Sequence, residues 1–133
     1  MYVVIQITKG QVNTVYLTLK ELTTLANPNY LFVFTNDTTY KQVKFICSYT
    51  VEAEYTVFDI EETNTPSVLE GKITLNPSGF WTYEVYEQSS TTNLNPALAT
   101  GKVESGKVQV LGDTYAVSRY TNTTTTNEVY TNE

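Results

Sequence analysis

The sequence predicts an all-β protein, a single-domain antiparallel β-sandwich. Three observations carry that expectation. Short runs in which apolar and polar residues alternate recur along the chain, roughly eight to ten of them, separated by turn signals. No stretch keeps its apolar residues at helical spacing for long. The aromatic content is high, with 11 Tyr and 5 Phe among 133 residues, and aromatic and β-branched side chains favour a pleated, half-buried surface. Uneven spacing of the runs favours a sandwich over a closed barrel. A chain of this length forms one domain with a real core; residues 1–120 read as the sandwich and 121–133 as a Thr/Asn-rich tail.

Taken in order, residues 2–7 are a first strand and Thr8-Lys9-Gly10-Gln11 a turn. Residues 14–19 alternate, with Val15, Leu17 and Leu19 on one face, so the first two strands are expected to form a hairpin. Residues 20–26 carry Leu22 and Leu25 at helical spacing, but Asn27-Pro28-Asn29 stops them after one turn at most. Residues 30–34, Tyr-Leu-Phe-Val-Phe, are apolar on both faces, the mark of a strand covered on both sides or by a neighbouring chain. The loop at 35–39 is rich in residues that bond their own backbone. Val43, Phe45, Cys47 and Tyr49 then line one face of a strand, with Lys44 and Ser48 opposite. Residues 55–60 are another strand and 61–66 a polar loop. Leu69, Ile73 and Leu75 share a face, and Gly71 between them signals a bulge or a close backbone approach.

The most aromatic strand follows the turn Asn76-Pro77-Ser78-Gly79. Trp81, Tyr83 and Val85 have one parity and read as core; Phe80, Thr82, Glu84 and Tyr86 have the other and face solvent or a partner. Residues 89–99 form a long polar loop of the kind that is functional or ordered by a partner. Ser105-Gly106 within residues 102–110 reads as the turn of a tight hairpin. Residues 114–119 are a last strand, and the tail beyond has too little to bury to order itself, with Val129 and Tyr130 near its end.

Composition excludes several functions. A net charge of −6 with only eight Lys and Arg, scattered, argues against nucleic acid and against anionic membranes. There is no His, which removes the commonest general base and metal ligand. One cysteine, Cys47, permits neither an intrachain disulfide nor a Cys-based zinc site, and its apolar strand marks it as a buried, inert thiol. The N-terminal residues lack the charge and apolar run of a signal peptide, and no run approaches the ~20 apolar residues of a spanning helix, so cytoplasmic synthesis in soluble form is expected. Glycosidase chemistry needs two carboxylates across a cleft; Glu84 and Glu87 differ in parity, while Glu52, Glu54, Glu61 and Glu62 fall in or beside turns. Asn36-Asp37-Thr38 offers one carboxylate, too few for calcium. No phosphate loop or dinucleotide fingerprint is present. The expectation is no catalytic residue, no metal and no cofactor. The surplus of Tyr points instead to interfaces, where Tyr supplies large contact area at low entropy cost.

Two stretches carry a resemblance. Tyr30-Leu31-Phe32-Val33-Phe34-Thr35-Asn36-Asp37 with the Phe45-Ile46-Cys47 strand is one. The other is Gly79-Phe80-Trp81-Thr82-Tyr83-Glu84-Val85-Tyr86-Glu87-Gln88 and the Ser/Thr/Asn run after it, with Glu104-Ser105-Gly106-Lys107-Val108. Over roughly residues 14–111 the chain resembles a small virion structural protein of tailed phages that infect Bacteroidetes, the crAss-like phages among them. The resemblance implies an Ig-like sandwich mounted on the particle as an auxiliary (decoration) capsid protein, in many copies on the capsid surface, bound to the major capsid protein or other virion proteins through edge pairing and aromatic burial. Expected partner-binding residues are Phe80, Tyr86, Val129 and Tyr130. A head-fibre or tail component is the alternative within that family. A carbohydrate-binding sandwich would instead require coplanar exposed aromatics in a groove, and a hydrolase paired carboxylates in a cleft.

Overall fold

Alternation along each strand decides which face it buries, and the observed strands follow it. The structure, a computed structural model, describes residues 4–19 and 21–112. Its strands are β1 (Val4–Thr8), β2 (Val12–Leu17), β3 (Asn29–Asn36), β4 (Gln42–Ile46), β5 (Tyr49–Glu52), β6 (Tyr55–Glu62), β7 (Lys72–Ile73), β8 (Gly79–Gln88) and β9 (Gly101–Leu111). One sheet has the order β1-β9-β8-β3-β4; the other is β2-β6-β5, with β7 added to β6. The two pack face to face as the expected all-β sandwich. Its pairings are antiparallel except β1 with β9 and β6 with β7, which are parallel.

The core fills the space between the sheets. Trp81, Tyr83 and Val85 of β8 are fully buried, and so are Phe32 and Phe34 of β3 and Phe45 of β4. Phe32 stacks on Phe45 at 5.0 Å and meets Phe58 of the opposite sheet edge-on at 4.8 Å. Such pairs add about 0.5–1.5 kcal/mol beyond their area. Leu31 and Val33, on the other face of β3, are buried too, as the doubly apolar run predicts. The Trp81 indole N–H donates to the Pro77 carbonyl at 3.1 Å, tying β8 to the turn before it, where the Asn76–Pro77 bond is cis.

Several expectations about pairing are corrected. β1 and β2 form no hairpin: β1 joins β9 and β2 joins β6, in different sheets. The Asn13 side chain accepts the Thr8 N–H at 2.9 Å and donates to the Thr8 carbonyl at 3.1 Å, so it replaces the ladder at the corner. Ile5 and Ile7 can then face Val15 and Leu17 across one core. The run Val43, Phe45, Cys47, Tyr49 faces the core throughout, but as two strands that change sheet at Cys47-Ser48. Ser105-Gly106 makes no turn. β9 runs straight through it, because the long β8 offers partners for the whole run, with one register shift opposite Val85 and Tyr86.

Around Gly71, Ile73 and Leu75 are fully buried but Leu69 is 45% exposed. A 3-10 turn at Val68–Glu70 breaks the alternation, and Gly71 ends it with φ 71°. The expected close approach is there: a Cβ on Gly71 would lie 2.7 Å from the Cys47 sulfur. Glu61 and Glu62 belong to β6 and not to a loop. The Leu22 and Thr23 N–H groups both donate to the Leu19 carbonyl at 2.9 Å. The first residues of the expected first strand, the expected strand at 114–119 and the tail with Val129 and Tyr130 lie outside the described residues.

Candidate interaction surface

Phe80 and Tyr86 both project from β8 on the outer face of the five-stranded sheet. Phe80 is 55% exposed, and Tyr86 is half-buried. The Tyr86 hydroxyl donates to Glu84 at 2.9 Å, and the other Glu84 oxygen lies 3.5 Å from the Lys102 ammonium. Burial, and then the Glu84 carboxylate beside it, push the Tyr86 phenol above its usual pKa. Near Phe80, Asp37 accepts the Thr82 hydroxyl at 2.8 Å and pairs with Lys107, which also reaches Thr82 at 3.0 Å. Lys107 and then the Thr82 hydroxyl hold the Asp37 carboxyl below the usual carboxylate range. Tyr86 lies six positions beyond Phe80, about 20 Å at ~3.3 Å per residue. The two share a face but no patch, and a polar strip of Thr82 and Glu84 runs between them.

The second sheet carries an exposed aromatic pair that the sequence did not single out. Tyr16 and Tyr55 are 55% and 46% exposed on its outer face, and Val12, 60% exposed, stands apart from them beyond Thr14 and Asp59. Tyr16 and Tyr55 meet edge-on, centroids 5.9 Å apart and planes at 87°. Parity signalled Tyr16, since Val15 and Leu17 point inward; its partner follows from the β2–β6 register, which sets Tyr16 opposite Val57 and therefore diagonal to Tyr55.

At one end of the sandwich the sheets part around a cleft of about 200 Å³, lined by Leu25, Pro28, Tyr30, Tyr49, Val51 and Thr56 among others. The Tyr30 and Tyr49 rings lie 5.0 Å apart. The Tyr30 hydroxyl hydrogen-bonds Thr23 at 2.8 Å, and that of Tyr49 donates to the Pro28 carbonyl at 2.7 Å. Burial raises the pKa of both phenols, with the Thr23 hydrogen bond opposing it at Tyr30. Buried Glu87 holds the segment above the cleft in place, accepting the Thr24 and Leu25 N–H groups and the Thr24 hydroxyl at 2.9–3.0 Å. No sequence signal marks this cleft, because it forms where residues 23–30 meet Tyr49 and Val51 of β5 and Thr56 of β6.

Buried polar groups elsewhere hold loops and strands. Glu62, 4% exposed, accepts the Gly10 and Leu75 N–H groups, so it fastens two loops to the end of β6. The Cys47 thiol is buried, donates toward the Asp59 carbonyl at 3.2 Å, and is pushed by burial up to about 11. Asn36, first residue of the Asn36-Asp37-Thr38 triplet, is buried, and its side-chain oxygen accepts the Thr38 and Thr39 N–H groups to close a turn. Among the described residues no three His, Cys, Asp or Glu side chains gather as metal ligands.

In comparisons with known proteins the chain matches no protein-family model, no curated protein and no solved structure.

Proposed function

We propose that this protein is a non-enzymatic association module, an auxiliary capsid protein that binds and stabilises the capsid lattice of a tailed-phage virion. The observation that carries the association reading is how the side chains sort. The buried carboxylates and the thiol are engaged in holding loops and strands, whereas Val12, Tyr16, Tyr55 and Phe80 stand exposed on the outer faces of the two sheets. Exposed aromatics at such positions are the anchors that interfaces use. The virion assignment rests on the resemblance of residues 14–111 described above.

The sheet orders support the Ig-like reading. In that fold strands G, F, C and C′ form one sheet and B, E and D belong to the other; β9-β8-β3-β4 and β2-β6-β5 follow the same orders. The Trp81 bond back to Pro77 resembles the corner contact at the start of strand F, though an indole stands here in place of the usual phenol. Sugar binding is the weaker reading, because Tyr16 and Tyr55 meet at 87° and present no flat platform for a sugar ring.

Mass spectrometry of purified particles from phage whose genome encodes this chain tests the proposal. The protein is expected among the abundant structural components, with gold-labelled antibody on the head; label confined to fibres or tail would support the alternative placement. Absence from the particle would overturn the virion reading. Deleting residues 121–133 tests the arm: a truncated chain that folds but is not incorporated marks the tail, with Val129 and Tyr130, as the docking segment. Normal incorporation would remove the tail from the interface.

A further inference from the structure

We propose that the protein associates with itself head to tail, the Tyr40 side chain of one copy entering the end cleft of the next. The inference goes beyond the virion reading and does not depend on it. It starts from the cleft. At about 200 Å³ it falls below the roughly 300–1,000 Å³ of small-molecule sites, and it is suited to a single side chain. Leu25, Pro28, Val51 and the rings of Tyr30 and Tyr49 make its walls apolar. Thr56 also lines it, is 2% exposed, and its hydroxyl has no hydrogen-bond partner among the described residues. Buried hydroxyls are normally paired, and one left unpaired is costly. The Tyr30 and Tyr49 hydroxyls are already engaged with Thr23 and Pro28, so the open polar position is that of Thr56. The fitting occupant has an apolar body and a polar tip, which describes tyrosine.

The chain presents such a group at its opposite end. Tyr40 is 77% exposed, more than any other large hydrophobic residue described. It sits in the turn joining β3 to β4, held at φ 61° with its N–H on the Asn36 carbonyl at 2.9 Å. A bulky residue at positive φ is an outlier; here the turn holds the ring away from its own domain. β3 begins beside the cleft, at Tyr30, and ends at this turn, so donor and acceptor lie at opposite ends of one strand. Two different patches at opposite poles make a heterologous contact that propagates from copy to copy. Charge agrees with the pairing. Lys41 follows Tyr40 and is exposed, and Asp37 in the same turn is neutralised by Lys107. Exposed Glu52 and Glu54 flank the β5–β6 turn beside Val51 at the cleft, and Glu54 shares an adjoining depression with Glu21.

Sedimentation velocity on the full chain, from micromolar to millimolar concentration, tests this. The wild type is expected to grow beyond 15.0 kDa with concentration, while Tyr40→Ser and the cleft-filling Val51→Trp each stay at that monomer mass. Both positions are exposed, so folding should survive; thermal melts check it. Mixed together, the two variants retain one Tyr40 and one open cleft between them and should form a dimer and nothing larger. Tyr40→Phe and Thr56→Val should each weaken association on the order of fivefold, and the double variant no further, if the two hydroxyls meet. A wild type that stays monomeric, a Tyr40→Ser chain that associates like wild type, or a mixture that stays monomeric would each overturn the proposal.

Discussion

The Glu87 carboxylate, at the end of β8, accepts the Leu25 backbone N–H at 3.0 Å across 62 residues of chain. The same carboxylate takes the N–H and the hydroxyl of Thr24, so one side chain fastens the segment that covers the end cleft. Burial pushes the Glu87 carboxyl up, but the Leu25 N–H, the Thr24 hydroxyl and the Thr24 N–H together outweigh it and hold the carboxyl below the usual glutamate value.

A pH dependence follows. Because the folded pKa is depressed, the contribution of Glu87 is complete above the ordinary glutamate value of about 4.3 and is lost as pH falls through the lower folded value. Glu87→Gln keeps the size but replaces an acceptor oxygen by an NH₂ donor. It should cost roughly 1–3 kcal/mol at neutral pH. Urea titrations between about pH 3 and 7 should show the gap from wild type narrowing below about pH 4. A gap that stays constant over this range would contradict the role assigned to the carboxylate.

Gly71 cannot be replaced freely. Its φ of 71° disfavours any side chain, and a Cβ would press on the Cys47 sulfur at 2.7 Å. Gly71→Ala should therefore cost about 1–3 kcal/mol from overpacking, with a further ~1 kcal/mol or so from backbone strain. Cys47→Ala in the same chain should recover the part of the packing share that the sulfur imposes, leaving the backbone share and the tighter contacts with the Cys47 Cβ at 3.2 Å and the Asp59 carbonyl at 3.3 Å. Strictly additive effects of the two substitutions in chemical denaturation would show that the contact is absent.

Trp81→Ala should lower stability by roughly 3–5 kcal/mol, as removal of a fully buried large side chain does. Trp81 is the single tryptophan and is fully buried, so the fluorescence of the native chain should be blue-shifted and move red on unfolding. A melting shift of only a degree or two in the variant would mean that β8 turns its other face inward.

The Cys47 thiol should resist modification. It is 3% exposed, and its pKa is pushed up to about 11, so at pH 8 little thiolate forms and reagent cannot reach it. A disulfide reagent should label native protein no faster than the chain unfolds and label denatured protein at once. Rapid labelling of the native form would place Cys47 at the surface.

The sequence by itself determined the all-β class and the facing of the strands. The parity of Trp81, Tyr83 and Val85, the double burial of β3, the core-facing run from Val43 to Tyr49 and the close approach at Gly71 were all legible, because a two-residue period and a missing Cβ are local properties. Only the tertiary structure decided which strand pairs with which. Alternation says which side of a strand is buried; it does not distinguish a hairpin from a crossing between sheets. For that reason β1 and β2 part at Asn13, Cys47-Ser48 changes sheet, and β9 runs straight through Ser105-Gly106. The candidate surface divides in the same way. Phe80 and Tyr86 were legible as outward-facing, but their separation, the Tyr16–Tyr55 pair and the cleft beneath Glu87's loop depend on register and on contacts between distant segments, which form only when the whole chain buries its core.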